Sequence, residues 1–281
     1  MKLLTHFSVV PGAEGFLREN GMDSLDALFN TPNAEKLSKP GLSAWRERLR
    51  LDLMVGGVPR PFYLKRFLGP PLSARREVRR SGSGAHSLAG VEWEWMHHLA
   101  ADGIPCVKPV AFGEELRGRR EVRSAILTEC VSGESLERLA AQWSVRDRPT
   151  IRRMIPLLAA LVARLHGRGY IHRDLYLSHV FYDSTSPPEA SLHMIDLQRV
   201  ARPRWRRRRW MVKDLAALNY SAPCSVISTA DRVRWLTHYL DLSKLNAPAR
   251  RLVRLIVGKT RRIAEHDRRR MARWRKGSGH P

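Results

Sequence analysis

The feature that most constrains this chain is a pair of aspartates, each placed directly after an apolar segment. Asp174 lies within Ile171–Phe181, immediately after a helical pattern that ends at Gly169. Asp196 follows the short strand pattern Leu192–Ile195. A role in capping turns could explain either aspartate alone. It poorly explains why both occur in this order. The tripeptide His-Arg-Asp is common by chance, whereas the whole order of helix, glycine, aspartate, strand and second aspartate is specific.

Patterning in the rest of the chain predicts a small antiparallel sheet followed by helices. A helical pattern covers His86–Ala101, and a long apolar stripe runs from Ile151 to Leu165. Residues 69–84 are rich in Pro, Arg, Ser and Gly and are predicted to form a mobile loop. Strand patterns cover residues 46–53, 61–67, 107–112 and 124–128.

These elements predict the α+β class, with a bilobal arrangement of the protein-kinase-like type. We expect a small antiparallel N-lobe that carries one helix, and a mostly helical C-lobe. The expected boundaries are 1–44 for an N-terminal extension of no assigned role, 45–131 for the N-lobe and connector, and 132–281 for the C-lobe with a basic C-terminal helix.

Composition narrows the partners but does not choose among them. The formal net charge of +23 predicts attraction to nucleic acid, to an anionic membrane surface or to a phosphorylated substrate. Cys106, Cys130 and Cys224 form no Cys-x-x-Cys pair and are expected to be reduced thiols without a catalytic role, as in a cytoplasmic protein. No apolar run approaches the roughly 20 residues of a spanning helix, so we expect a soluble or peripheral protein.

The aspartate pair suits phosphoryl transfer from ATP, which needs a carboxylate at the acceptor hydroxyl and cations on the triphosphate. Asp174 is placed to serve the acceptor, and Asp196 to bind Mg²⁺ through oxygen. Lys65 lies in the apolar middle of a strand, where it would alone be interpreted as a solvated lysine. The two aspartates favour a role on the nucleotide phosphates instead. Glu92, on the predicted helix, is either its ion-pair partner or a surface glutamate.

A family resemblance rests on three short motifs. They are Leu-His-x-x-Gly-x-x-His-Arg-Asp-x-Tyr-x-x-His-x-Phe over 165–181, Ile-Asp-Leu-x-Arg over 195–199, and Lys-Asp-Leu over 213–215. In these residues the chain resembles the bacterial lipopolysaccharide kinases, the group that contains the core heptose kinase and the 3-deoxy-manno-octulosonic acid kinase. The likeness spans about residues 45–220.

The resemblance implies a nucleotide site in the N-lobe and connector. Lys65 would hold the α- and β-phosphates and would be paired with Glu92. Glu129 and Val131 would offer backbone groups to adenine. No Gly-x-Gly-x-x-Gly precedes Lys65, and Lys39–Ser43 is expected to cover the phosphates instead.

The resemblance also implies roles for the central stretch. Asp174 would be the catalytic base, and Asp214 would brace its loop. Asp196 would bind Mg²⁺ with His179. Imidazole is an unusual ligand for this cation, so a bond from His179 to Asp174 or to a phosphate is the alternative. Arg173 would neutralise the loop or touch the substrate.

The acceptor is predicted from the segment between Asp196 and Asp214. It has only 17 residues and lacks Ala-Pro-Glu, which argues for a non-peptide hydroxyl such as that of a sugar. Six arginines lie between Arg202 and Arg209, and Arg204 and Arg206 are candidates for gripping substrate phosphate or carboxylate. A solvated run of charge is the alternative.

We therefore expect an ATP-dependent phosphotransferase that uses Mg²⁺ and phosphorylates a sugar hydroxyl of the lipopolysaccharide core or of a related lipid-linked saccharide. The basic C-terminal helix favours a peripheral position on the cytoplasmic face of the inner membrane. The alternatives are a protein or small-molecule kinase, and a kinase-fold scaffold that binds nucleic acid.

Overall fold

The computed structural model describes residues 2–32, 34–37 and 43–277. The chain forms two compact units. Unit 1 comprises Met1–Ser132 together with Met194–Ala201, and unit 2 comprises Gly133–His193 together with Arg202–Pro281. The short segment that carries Asp196 therefore packs with the N-terminal unit, although it follows the central stretch in sequence.

Unit 1 is built on an antiparallel sheet, six-stranded in the described residues, with the order β1-β5-β6-β4-β3-β2. The β3–β4 hairpin turns at Gly56 and Gly57, both of which have a positive φ that glycine tolerates. The strands are β1 (Leu3–Val9), β2 (Glu35–Lys36), β3 (Arg46–Val55), β4 (Val58–Leu68), β5 (Pro109–Arg117) and β6 (Arg120–Glu129).

Two short helices near the N-terminus, α1 (Glu14–Glu19) and α2 (Leu25–Phe29), pack on one face of this sheet. Burial of apolar surface there stabilises the unit by about 25 cal/mol for each Å² removed from water. Part of the N-terminal region 1–44, for which no role was predicted, therefore covers an apolar face of the sheet. The shared core contains Leu17, Leu25 and Leu28 from the helices and Leu49, Leu51 and Leu64 from the strands.

Two more helices follow β4, and the first corrects a prediction. Residues 72–81 are not a loop but the helix α3 (Leu72–Ser81), which is followed by α4 (Leu88–Ala101). Ala74, Val78 and Ser81 recur at helical spacing and are buried, which the surrounding arginines obscured in the sequence. The helix ends at Gly82, whose φ of +71° is left-handed.

Unit 2 is mostly helical, and the predicted α+β class is confirmed. A small sheet, with the order β7-β8-β9 in the described residues, accompanies the helices. The strands are β7 (Glu134–Ser135), β8 (Val180–Tyr182) and β9 (Leu192–Met194). The helices are α5 (Leu136–Gln142), α6 (Arg148–Gly167), α7 (Arg207–Ser221), α8 (Thr229–Leu240) and α9 (Ala247–Gly277).

Helix α6 positions the central stretch. Its apolar stripe is buried, with Val162 and Leu165 fully inaccessible. Gly169 then adopts a φ of +94° and turns the chain into Tyr170 and Ile171, which are buried in turn. The loop that carries Asp174 is thus anchored on both sides by core residues. Within the described ranges, we find no helix that combines the length and the apolar character needed to span a membrane.

Candidate active site

Unit 1 brings Lys65, Glu92 and Asp196 together. Lys65 on β4 forms a hydrogen-bonded ion pair with Glu92, which α4 holds fully buried. The Lys65 ammonium also lies 3.4 Å from Oδ1 of Asp196. A buried carboxylate is costly unless it is paired, so Glu92 fixes the ammonium in place. Glu92 is therefore not the surface glutamate that the sequence also allowed.

Arg48 is a cation at this site that the sequence analysis missed. It lies opposite Lys65 in the β3–β4 hairpin, and its guanidinium is 3.5 Å from Oδ2 of Asp196. Each oxygen of Asp196 thus contacts a different cation. The neighbouring Arg46 forms a hydrogen bond with Gln198 in the same segment. Burial lowers the pKa of Arg46, and the charge of Asp196 partly offsets this effect.

Asp196 and Arg173 both have left-handed backbone conformations. The φ of Asp196 is +59° and that of Arg173 is +69°. Aspartate tolerates this region because its short side chain can bond locally, whereas arginine is rare there. Strain of this kind costs about 1–3 kcal/mol and persists where the surroundings fix the geometry, often at functional sites.

Backbone hydrogen bonds hold the start of the connector. The amide of Glu129 donates to the carbonyl of Lys108 at 3.0 Å, and the amide of Cys130 donates to the carbonyl of Pro61 at 3.2 Å. The Glu129 amide is therefore engaged within the sheet. Of the backbone groups predicted to meet adenine, the Glu129 carbonyl and the Val131 amide are the ones that remain candidates.

Unit 2 brings Asp174 and Lys213 together. Oδ1 of Asp174 lies 3.7 Å from the Lys213 ammonium, which also donates to the backbone carbonyl of Arg173. Lys213 is held over the ring of Trp210 at 6.0 Å, as is the Arg173 guanidinium at 5.1 Å. Lys213 was visible in the sequence only as the residue before Asp214 in the third motif.

Asp214 braces the loop, as the resemblance implied. It is fully buried on α7, and its carboxylate accepts hydrogen bonds from the amides of His172 and Arg173, both at 2.7 Å. His166 connects the same carboxylate to Tyr239, whose hydroxyl is 2.8 Å from the imidazole. Burial, followed by the charge of Asp214, raises the pKa of Tyr239 to about 12.

His179 is hydrogen-bonded to the main chain of Asp174. Its Nδ1 lies 2.8 Å from the Asp174 carbonyl oxygen. Because a carbonyl only accepts, Nδ1 carries the proton, and in the neutral ring the lone pair is on Nε2. This bond is one of the alternatives that the sequence left open. It orients the ring and defines Nε2 as the nitrogen with ligand character.

The arginine-rich segment of unit 2 is exposed. Arg204 and Arg206 both face solvent, as does Trp205, whose exposed fraction is 84%. Arg206 directly precedes α7 and has a φ of +55°. Two arginines of this run contact the interior of the unit: Arg207 donates to the His166 carbonyl, and the Arg202 guanidinium lies over the ring of Tyr170 at 5.2 Å. The segment therefore presents charge and an indole on the surface, as an acceptor site or a solvated run would.

Two further expectations concern residues away from these clusters. Burial raises the pKa of the Cys106 thiol to about 12, so this cysteine is not a thiolate nucleophile at neutral pH. The stretch Lys39–Ser43 was expected to cover the phosphates, and its residues 39–42 lie outside the described residues.

A sheet-based unit with a buried lysine–glutamate pair, and a helical unit with a braced His-Arg-Asp loop, define a protein of the kinase class. The model of the lipopolysaccharide kinase (Kdo/WaaP) family matches residues 75–239, and the chain belongs to this family. The resemblance seen in the sequence is thereby confirmed, and so is the expectation of an ATP-dependent kinase.

Relatives and a solved structure agree with this membership. The chain is 30% identical over 186 residues to the lipopolysaccharide core heptose(I) kinase WaaP of Escherichia coli K12, covering 63% of this chain and 70% of the relative. It is 31% identical over 154 residues to the enzyme of that name from Pseudomonas aeruginosa, covering 53% and 58%. A structure described as WaaP in complex with acyl carrier protein aligns with a TM-score of 0.62 and 27% identity, covering 95% of this chain and 99% of that chain.

Proposed function

We propose that this kinase transfers the γ-phosphoryl group of ATP to a sugar hydroxyl of the lipopolysaccharide core, with a heptose as the acceptor, as in the relatives' names. The observation that carries the nucleotide part is the Lys65–Glu92 ion pair with Asp196 beside the same ammonium. A fixed lysine with a partner glutamate is the arrangement by which kinases hold the nucleotide phosphates.

Asp174 is proposed as the catalytic base. Its carboxylate takes the proton of the acceptor hydroxyl as that oxygen attacks the γ-phosphorus, and ADP leaves with the electron pair of the broken bond. Lys213 orients the carboxylate from 3.7 Å, and Asp214 holds the loop backbone through two amides. Lys65 and Arg48 balance the charge of the phosphates, because a triphosphate needs more than one cation.

Mg²⁺ fits the donor set at Asp196. Magnesium takes one or two carboxylates and completes its shell with phosphates and water, so an all-protein cage is not required. Indeed, across the described residues no three His, Cys, Asp or Glu side chains cluster as a metal site. Asp196 would hold the ion through its carboxylate oxygens, and a ligand role for Nε2 of His179 stays a prediction. When bound, the ion would neutralise charge that develops on the transferring phosphoryl group.

The acceptor is proposed to lie against the arginine-rich segment of unit 2. Exposed Arg204 and Arg206 offer forked donors to phosphate or carboxylate groups on the core, and Trp205 offers a flat face to a sugar ring. Arg173, stacked on Trp210, is the candidate substrate contact on the catalytic loop. The short length of this segment favours a saccharide over a peptide.

We place the enzyme on the cytoplasmic face of the inner membrane as a peripheral protein. Helix α9 is strongly basic and exposes Arg251, Arg261 and Arg269. Basic residues close to anionic lipid each contribute about 1 kcal/mol. A lipid-linked acceptor would be concentrated at the same surface.

The test is transfer to a core acceptor, read by mass. Purified protein, ATP and Mg²⁺ are incubated with lipopolysaccharide from a strain lacking core phosphate, and with a panel of peptides and free sugars. The proposal predicts one added phosphate on the core and none on the peptides. Transfer to peptides alone, or salt-sensitive RNA binding without transfer to any acceptor, would instead support one of the alternative functions.

We also propose acyl carrier protein as a partner, since the similar solved structure is described as a complex with it. An apolar cavity of about 200 Å³ within unit 2 supports this, because an acyl chain needs such a space. Its lining includes Trp143, Ile151, Leu158, Leu218 and Leu236. Gel filtration with acylated and unacylated carrier protein is the test. Equal binding of the two forms would argue against the cavity as the acyl site.

A further inference from the structure

A cluster of arginines in unit 1 lies apart from Lys65, Glu92 and Asp196. Helix α3 and the turn between β5 and β6 enclose a cleft of about 340 Å³. We call it the arginine groove. Its lining consists of Leu72 and six arginines: Arg75, Arg76, Arg79, Arg117, Arg119 and Arg120. Three of these arginines lie on α3, where helical spacing places them along one face.

The described residues do not pair the groove arginines with carboxylates. Over the ranges that the structure describes, no salt bridge joins any of the six guanidinium groups to a carboxylate. By contrast, the nearby Arg123 pairs with Asp26 at 2.6 Å and with Glu115 at 2.8 Å. Arg75 donates to the Pro70 carbonyl at 2.9 Å. Burial, together with the charge of Arg120, lowers the pKa of Arg75.

Two acidic groups lie close to the groove, and the charge of Glu121 partly offsets the lowering of the Arg75 pKa. Glu77 is exposed on α3 among the arginines. Glu121 follows Arg120, but it turns inward and accepts hydrogen bonds from Ser124 and from the amide of Leu88. Like charges held close together repel each other, so a multivalent anion in the groove would lower the free energy of the folded protein.

Guanidinium chemistry indicates which anion. Arginine donates through a planar fork that matches phosphate oxygens in pairs, and it is less strongly hydrated than lysine. Six arginines and no lysine line the groove. Several phosphate groups presented together therefore suit it better than a single carboxylate.

The surroundings favour a membrane over a nucleic acid. Leu72 lines the groove with 68% of its surface exposed, and Leu68, four residues earlier, is 59% exposed. Exposed leucines beside arginines suit the boundary between headgroups and acyl chains. Proteins that bind single-stranded nucleic acid usually add aromatic side chains for base stacking, and the groove lining includes none.

We propose that the arginine groove binds the phosphate groups of anionic lipid headgroups, with Leu72 and Leu68 at the acyl boundary. The site is distinct from the basic helix α9 and gives unit 1 its own membrane contact. The inference rests on the proposed peripheral location, but not on the identity of the acceptor.

The test compares two double charge reversals with the same change in net charge. Arg76→Glu with Arg119→Glu alters the groove. Arg18→Glu with Arg60→Glu alters two exposed cations elsewhere in unit 1 and serves as the control. Binding to phosphatidylcholine vesicles with and without phosphatidylglycerol is measured by cosedimentation, and thermal unfolding verifies that both variants fold.

We expect the groove variant to lose at least about 30-fold in binding to the anionic vesicles, since two basic contacts at about 1 kcal/mol each are removed. The control should retain most of its binding. Leu72→Ser should weaken the part of binding that resists salt. Inorganic phosphate should compete poorly, because a membrane presents many phosphates at once.

An equal loss in both double variants, or no loss in either, would overturn the proposal. Loss of RNA binding with unchanged vesicle binding would overturn it in favour of nucleic acid. Phosphate transfer to delipidated core oligosaccharide should be unchanged in both variants. If the wild type fails at that transfer while the vesicle results hold, the proposed function is wrong and the groove assignment stands.

Discussion

At the residue scale, the two oxygens of Asp196 are shared between Lys65 and Arg48. The role of Lys65 was predictable because the two aspartates favoured a phosphate contact over a solvated lysine, and Glu92 on the predicted helix was one candidate for its partner. Arg48 was missed, although the Gly56-Gly57 turn sets the hairpin register that places it opposite Lys65. The position of Arg48 opposite Lys65 follows from the strand register and not from the residue type.

Arg48→Gln should raise the KM for ATP by about 10- to 100-fold with a smaller change in kcat, because a charge-assisted bond to phosphate contributes about 1.5–3 kcal/mol. Steady-state kinetics with varied ATP measures this. Arg50→Gln is the matched control, since Arg50 lies two residues further along β3 and pairs with Glu35 and Asp52. Equal effects of the two substitutions would contradict a specific role for Arg48.

Glu121 predicts a dependence of stability on pH. Burial raises its pKa to about 7, although hydrogen bonds from Ser124 and Leu88 oppose the shift. The folded state therefore binds a proton that the unfolded state has released above about pH 4.5. Its stabilising effect is complete below that pH and is lost as the pH rises through about 7, by an amount on the order of 3 kcal/mol.

Glu121→Gln should remove this dependence and flatten the free energy of unfolding between pH 5 and 8. Urea denaturation at several pH values is the measurement, with the wild type beside the variant. The same slope in both proteins would show that Glu121 is not the titrating group.

At the scale of elements, α3 shows how a sequence pattern can mislead. The stretch contains helix-forming arginines, but its Pro, Ser and Gly neighbours dominated the pattern, and only Ala74 and Val78 mark the buried face. By contrast, α6 was predicted well, because its apolar stripe extends over many turns. Periodicity over a long window outweighs local composition, and α3 is too short to show it.

Gly133 joins the connector to β7 and should not tolerate a side chain. Its φ is +82°, and a Cβ would lie 2.0 Å from the carbonyl oxygen of Tyr182 on β8. Gly133→Ala should lower the free energy of unfolding by about 2 kcal/mol or more, because both the backbone and β8 must shift.

Gly167→Ala is the control for this prediction. Gly167 lies in α6 with nothing within 4 Å of its added Cβ. That substitution should be neutral or stabilise the protein by about 1 kcal/mol. If chemical denaturation shows Gly133→Ala to be as stable as Gly167→Ala, the close approach to β8 does not constrain the connector.

At the scale of the whole molecule, the α+β class and the kinase family were predictable because the motifs occur in an order that few folds share. The role of the N-terminal region was not predictable, because short helices that cover a sheet face need only scattered leucines. Net charge of +23 was visible at once. How that charge separates into an arginine-rich segment, a basic helix and the arginine groove depends on folding, which brings residues 75–79 close to residues 117–120.

The most direct test of the account is the rate of phosphoryl transfer to the lipopolysaccharide core by Asp174→Asn. Asparagine keeps the size of the side chain but cannot take the proton, so kcat/KM should fall by about 10²–10⁴ while ATP binding is retained. Asp241→Asn, an exposed aspartate in the same unit, should match the wild type. Transfer by Asp174→Asn at the wild-type rate would contradict the central claim that Asp174 is the catalytic base.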